Sequence, residues 1–341
     1  MSSKHPPTNF NPPFNITRAS HLVFTARDLA ASKKFYTEVI GLVVSDETDD
    51  TVWLHGVEER CHHSLTLKKT KSEPVCERVG FRVFSDEDLT KAKAHFDKTG
   101  VEARFVEVPY QGRTLHVSDT AGTPLELVAT QQSHNRTQTL THTHKGAAAL
   151  RMDHYQVLVP DVGLAAKFYL DLGFRISDYA VVNDEKVVAI FMYRKDNPHD
   201  MVFLQRSGPR FHHFGYMVQE MHHVVRALDI AGNLGFGPNL EHGPGRHGGG
   251  HSYYVYMRDP DGHRLELLLP ATQIIDIDDE PMRYQVKPGI NTNLWGLPPP
   301  RTWFEETTPL LGAKVTSPAV QGEPFSLEKY LFGRQPQQAA E

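Results

Sequence analysis

Glu266 stands in an apolar run between Leu265, Leu267 and Leu268, and a carboxylate there is costly to bury unless its charge is compensated. A salt bridge would compensate it, and so would a metal ion. His154, at the start of its module among apolar strand residues, and His213, on the strand 211–218, pose the same question. Either histidine alone reads first as a hydrogen-bonded core residue. Together with Glu266 they offer two imidazole nitrogens and one carboxylate, the donor set of a non-haem Fe(II) oxygenase, which leaves coordination positions open for substrates.

What brings the three together is an internal repeat. His21-Leu22-Val23-Phe24, Asp28, Phe35-Tyr36 and Gly41 recur as His154-Tyr155-Gln156-Val157, Asp161, Phe168-Tyr169 and Gly173, with the same His-to-Asp and His-to-Phe spacing (21 to 28 and 35; 154 to 161 and 168). The pattern predicts a strand, an Asp N-cap, an amphipathic helix stopped by glycine, and further strands. A second matching pair closes each half: residues 118–126 align with 258–266, each a glycine-containing turn before a strand that carries a glutamate, Glu126 or Glu266. The chain therefore reads as α+β, four βαβββ modules near residues 18–70, 77–130, 151–206 and 210–270. Two modules make each open, funnel-like barrel. Superposing the last two modules places His154 and His213 at equivalent positions on first strands and Glu266 on a last strand, so that the three side chains converge. The N-terminal half is an internal control. It keeps His21 and Glu126 but has Arg78 where His213 would stand, and a guanidinium has no lone pair for a metal.

The expected organisation is an N-terminal arm (1–17), an N-terminal domain without a complete metal site (18–130), a polar linker (131–150), a catalytic domain (151–270) and a Pro-rich tail (271–341) that covers a domain with Trp295, Trp303 and Phe304. The net charge of −5 comes from mixed charges and shows no basic stripe, which argues against a nucleic-acid partner. No stretch suits a membrane span or a secretory signal. Two cysteines in a chain of 341 residues suit free thiols in a reducing cytoplasm. Twenty histidines raise the prior for metal or proton-transfer chemistry.

Four segments carry a resemblance: Met152-Asp153-His154, Pro209-Arg210-Phe211-His212-His213, Gly243-Pro244-Gly245-Arg246-His247-Gly248 and Asp259-Pro260-Asp261-Gly262-His263-Arg264-Leu265-Glu266. On these the chain resembles the type I extradiol catechol dioxygenases of the vicinal oxygen chelate superfamily, and among them the homoprotocatechuate 2,3-dioxygenases. The resemblance runs from about His21 to Glu266 and weakly into the tail. It implies metal ligands at His154, His213 and Glu266, Fe(II) with Mn(II) as the alternative, an acid/base histidine at His199, and substrate-side donors at His247 and Tyr256. It also implies a small aromatic diol and O2 as reactants and a homotetramer. A glyoxalase-like isomerase or lyase, or a non-catalytic binding protein on the same modules, remains the alternative that oxygen uptake would separate. His62, His63, His212, His222, His223 and His251 are expected to be structural or surface residues.

The chain departs from these relatives around the substrate. His242 stands where they have an arginine, Asn291-Thr292 where the tail supplies another, Gln156 for an asparagine and Phe191 for a tryptophan. Arg246 and Arg283 are the cations left that could hold a carboxylate. The expected substrate is thus an uncharged catechol.

Overall fold

A computed structural model of the protein describes residues 6–183, 186–287 and 291–332. Residues 1–5 of the expected arm and 333–341 of the tail lie outside the described residues. The four modules follow one another along the chain. The first is β1 (Ile16–Ala26), α1 (Leu29–Lys34) continued by a π-helical turn to Ile40, β2 (Val43–Glu47), β3 (Thr51–His55) and β4 (Leu65–Lys69). The second is β5 (Cys76–Val83), α2 (Asp86–Thr99), β6 (Ala103–Val106), β7 (Thr114–Ser118) and β8 (Pro124–Val128). The third is β9 (Arg151–Val159), α3 (Val162–Asp171), β10 (Arg175–Val182), β11 (Lys186–Tyr193) and β12 (Met201–Gln205). The fourth is β13 (Arg210–Met217), α4 (Met221–Asn233), β14 (Leu240–His247), β15 (Tyr253–Arg258) and β16 (Arg264–Leu268). The tail adds β17 (Met282–Gln285), β18 (Asn293–Trp295), α5 (Arg301–Glu305) and α6 (Leu327–Phe332).

The caps read from the repeat are in place. Asp28 accepts from the Ala31 N–H and Asp161 from the Leu164 N–H, both at 2.9 Å. Gly41 and Gly173 end the helical segments with φ of 80° and 85°, a left-handed conformation that costs glycine no Cβ clash.

Two mixed sheets result, ordered β2-β3-β4-β1-β5-β8-β7-β6 and β17-β10-β11-β12-β9-β13-β16-β15-β14-β18. In each, the first strands of the two modules pair antiparallel at the centre, β1 with β5 and β9 with β13. Period-2 alternation then divides the labour along β9. Tyr155 and Val157 belong to one continuous core that runs from Phe14 to Leu310 across both halves, while His154 and Gln156 lie on the opposite face. The tail that reads as aperiodic supplies both edge strands of the second sheet, because β17 pairs with β10 and β18 with β14.

The halves lock reciprocally. Tyr36 donates to Asp259 and Tyr169 to Asp119, each at 2.9 Å, so each half's helical segment holds the other half's turn. Those turns precede β16 and β8, the strands of Glu266 and Glu126. The arm crosses as well, with the Asn9 N–H donating to the Leu170 carbonyl at 3.0 Å.

Two glycines make room for histidines. A Cβ at Gly80 would lie 2.3 Å from the His21 ring, and one at Gly215 would lie 2.5 Å from the His154 ring. Gly80→Ala and Gly215→Ala should therefore each destabilise the fold by about 1–3 kcal/mol, the typical cost of overpacking, read as a lower urea midpoint at unchanged slope. Midpoints equal to the parent's would mean that these rings do not lie over the glycines.

Candidate metal centre and active site

His154 on β9, His213 on β13 and Glu266 on β16 are all buried, at 2–3% exposure, and their donor atoms converge. The edges of the triangle are 3.2 Å between the two Nε2 atoms, 3.1 Å from His154 Nε2 to Glu266 Oε2, and 3.4 Å from His213 Nε2 to Glu266 Oε2. Three ligands at right angles on metal bonds of about 2.1 Å would lie about 3.0 Å apart, so the residues fit one face of an octahedral ion.

Proton placement fits too. His154 Nδ1 lies 2.9 Å from Asp153 Oδ2, a carboxylate oxygen that only accepts, which draws the ring proton to Nδ1 and leaves Nε2 a lone pair. Burial would raise the Asp153 pKa, but the His154 hydrogen bond and the Lys195 charge hold it down at about 2. Burial depresses His154 but is outweighed by Asp153 and Glu266, which lift it to about 9, so that Nε2 holds a proton toward Glu266 that a bound cation would displace. For His213 burial prevails and lowers it to about 4. Glu266 stays well below the usual carboxylate range despite its burial, through bonds to His154, His213 and His247.

A second group of possible ligands is Asp153, His154 and His199. It is the poorer candidate, because Asp153 is already used: Oδ2 accepts from His154 and Oδ1 from Asn197 Nδ2 at 3.1 Å.

The structure brings the residues implied as catalytic around the triangle. The His199 ring is 4.3 Å from that of His154 and 5.5 Å from that of Phe191. Asn197 fixes its turn by donating to the His199 carbonyl at 2.5 Å. Among the described residues His199 Nδ1 is buried without a hydrogen-bond partner, and burial together with His154 pushes the imidazole well below its usual pKa. His247 Nε2 is 3.0 Å from the Tyr256 hydroxyl and 3.3 Å from Glu266 Oε1, and its ring stacks on Tyr254 at 4.0 Å. Burial and Glu266 raise the Tyr256 phenol well above its usual range.

Of the pocket positions, Gln156 and Phe191 share a row across the sheet with Val202 and His213. His242 is buried beside Tyr254, Tyr256 and Trp303, and burial with neighbouring His247 lowers its pKa to about 4. Arg246 is turned elsewhere: its Nε donates to the His251 carbonyl at 2.9 Å and its guanidinium lies over the Tyr253 ring at 4.6 Å. Thr292 and Arg283 are exposed.

Sequence reasoning assigned no role at the site to Asp153 or Asn197, read His212 as structural or surface, and read Trp303 only as an anchor of the covering tail. For Asp153 the signal was available, since a carboxylate next to a ligand histidine is a familiar orienting partner. For His212 it was not. Strict alternation would turn it away from His213, but the register of β13 against β9 slips between Phe211 and His213. The resulting β-bulge at His212 re-aims its side chain.

The N-terminal copy is closed instead of open. Glu126 accepts from His21 Nε2 at 2.8 Å, Gln111 Nε2 at 2.8 Å and His116 Nε2 at 2.6 Å. Arg78 pairs with Val23 as His213 pairs with Gln156.

The chain matches the Glyoxalase/Bleomycin resistance protein/Dioxygenase superfamily over residues 18–136 and 151–267, and it belongs to that superfamily. The solved structures it resembles include homoprotocatechuate 2,3-dioxygenase of Brevibacterium fuscum, at 29% identity and a TM-score of 0.87, covering 92% of this chain and 90% of that one. Its relatives also include a manganese-dependent 2,3-dihydroxybiphenyl 1,2-dioxygenase of Geobacillus genomosp. 3, 27% identical over 79% of this chain and 90% of that protein. A metapyrocatechase of Geobacillus stearothermophilus is 24% identical over 91% of this chain and 99% of its own length.

His154→Ala, His213→Ala and Glu266→Ala should each lose bound divalent metal while retaining the parent's circular dichroism, and His21→Ala should keep a full equivalent. Elemental analysis after gel filtration is the check. Stoichiometric metal in the His213 variant, or its loss from the His21 variant, would put the site in the other half.

Proposed function

We propose that the protein is a cytoplasmic extradiol dioxygenase that uses Fe(II), held by His154, His213 and Glu266, to open a catechol-type ring with O2 and give a muconic semialdehyde-type product. The observation that carries this reading is the buried triangle of two imidazole nitrogens and one carboxylate oxygen with His199 beside it. Two imidazoles and one carboxylate suit Fe(II). Mn(II) accepts the same donors, and one relative is named for manganese.

A bound divalent cation supplies positive charge that acidifies a diol and the means to pass electrons from ring to dioxygen. The protein's own groups do the rest. Glu266 is the single anion among the three ligands, so the site keeps net positive charge for a deprotonated diol. His247 and the Tyr256 phenol, which stays protonated, are donors for a substrate oxygen. His199 is neutral, and its imidazole can take a proton and return it as the ring opens. Phe191 packs beside His199.

The substrate reading follows from charge. Burying an unpaired carboxylate costs several kcal/mol, and the positions implied for the substrate's substituent carry Gln156, Phe191 and a His242 that burial keeps neutral. Arg246 lies on the strand face opposite His247, engaged with Tyr253. Relatives are named both for uncharged diols, such as 2,3-dihydroxybiphenyl, and for homoprotocatechuate. This pocket favours the former.

Oxygen uptake by anaerobically Fe(II)-loaded enzyme tests the reading. Catechol and 4-methylcatechol should exceed 3,4-dihydroxyphenylacetate in kcat/KM by roughly tenfold or more, about 1.4 kcal/mol per factor of ten. A preference for the acid would overturn the pocket assignment, and no uptake on any catechol with either metal would overturn the activity. His199→Phe should keep metal and still bind catechol while slowing ring opening about 10²- to 10⁴-fold; an unchanged kcat at saturating oxygen would remove His199 from the mechanism.

A further inference from the structure

The two histidines of the triangle are held by different partners. His154 leans on the side-chain carboxylate of Asp153, whereas His213 leans on another imidazole. His213 Nδ1 is 2.7 Å from His212 Nδ1, and His212 Nε2 is 2.9 Å from the backbone carbonyl of Trp303. A carbonyl oxygen has no proton to give, so the direction of this chain follows from its far end. His212 Nε2–H donates to the carbonyl. In a neutral imidazole this leaves Nδ1 as a lone pair, which takes the Nδ1–H of His213. His213 Nε2 is then bare and lies 3.4 Å from Glu266 Oε2. The opposite tautomer of His213 would set two lone pairs against each other at 2.7 Å.

The far end is itself held. Trp303 lies in the short α5 of the tail and is 9% exposed. Arg264, 1% exposed and two residues before Glu266, carries its guanidinium over the Trp303 ring at 4.8 Å. It donates to the His212 carbonyl at 3.1 Å and to the tail's Glu306 carbonyl at 3.1 Å. Glu241 neutralises Arg264 through Nε at 2.5 Å and also accepts from the Thr302 hydroxyl at 2.9 Å. One buried ion pair thus clamps both the tail and the bulge.

The N-terminal copy shows the bulge without the relay. There β5 slips against β1 between Arg78 and Cys76, so the extra residue is Glu77, whose carboxylate instead pairs with Lys68 at 2.8 Å.

We propose that His212 is a positioning residue of the metal centre: it locks His213 in the Nδ1–H tautomer through the carbonyl of Trp303, and thereby makes the C-terminal tail part of the metal site. The proposal rests on His213 being a ligand. Its consequence is that metal affinity depends on a segment more than thirty residues beyond the last ligand in sequence (266 to 303).

Two measurements test it. In metal-free protein labelled with [15N]histidine, the relay gives a 15N–15N coupling across an Nδ1–H···Nδ1 hydrogen bond, with the proton on His213. This reading uses the parent chain and stands whether or not any variant folds. Mn(II) titration followed by the EPR signal of the free ion then compares three variants. His212→Phe should weaken binding about 10- to 100-fold, the usual effect of losing an orienting partner, and His212→Asn, whose Oδ1 can accept from His213 Nδ1–H, should recover most of the loss. His213→Ala should abolish binding. A His213 protonated on Nε2, or a His212→Phe that binds Mn(II) as tightly as the parent while His213→Ala does not, overturns the relay and leaves the metal centre standing. Undiminished binding in His213→Ala overturns both.

Discussion

Everything at this site depends on turning three polar donors toward one point in an interior where polar groups are costly to bury. His154 Nε2, His213 Nε2 and Glu266 Oε2 face one another within 3.4 Å, an arrangement in which a single proton on His154 Nε2 is divided between two neighbours and which one cation satisfies at once. The surroundings serve that constraint. Asp153 and His212 hold the ring protons on the far side of each imidazole. Gly215 lets the His154 ring lie over the neighbouring strand. Tyr36, reaching from the other half, fixes the turn that launches β16.

The N-terminal half shows what the same scaffold does when the constraint is lifted. His21 is preceded by Ser20, whose hydroxyl can donate to His21 Nδ1 at 2.8 Å, so the ring proton goes to Nε2 and on to Glu126. Asp153 in the corresponding place dictates the reverse. Gln111 and His116 complete the carboxylate's partners. Among the described residues, the groups able to hold a metal gather around His154 alone. A carboxylate filled by one histidine, a glutamine and a second histidine is a structural element, and its partner, on which two imidazole nitrogens and a carboxylate oxygen converge, is a reactive one.

Much of this was legible in the sequence, because repetition converts spacing into register. The shared His-to-Asp and His-to-Phe intervals placed first strands, caps and helices, and the matched turns placed the two glutamates on last strands. The triad followed from superposing modules. What escaped was set by breaks in periodicity and by distant chain. The bulge at His212 turns an expected structural histidine toward His213. The tail's role depends on Trp303 meeting Arg264 across a long stretch of sequence, a contact that no local pattern encodes. The arginine substitutions around the substrate were visible, but where Arg246 turns only becomes clear once Tyr253 is seen beneath it.

The most direct test of the metal centre is an anomalous difference map from crystals of the Mn(II)-loaded protein. The geometry predicts one strong peak within bonding distance of His154 Nε2, His213 Nε2 and Glu266 Oε2, and none beside His21 and Glu126. A peak bound instead to Asp153 and His199, or no peak between the two histidines in fully loaded protein, would contradict it.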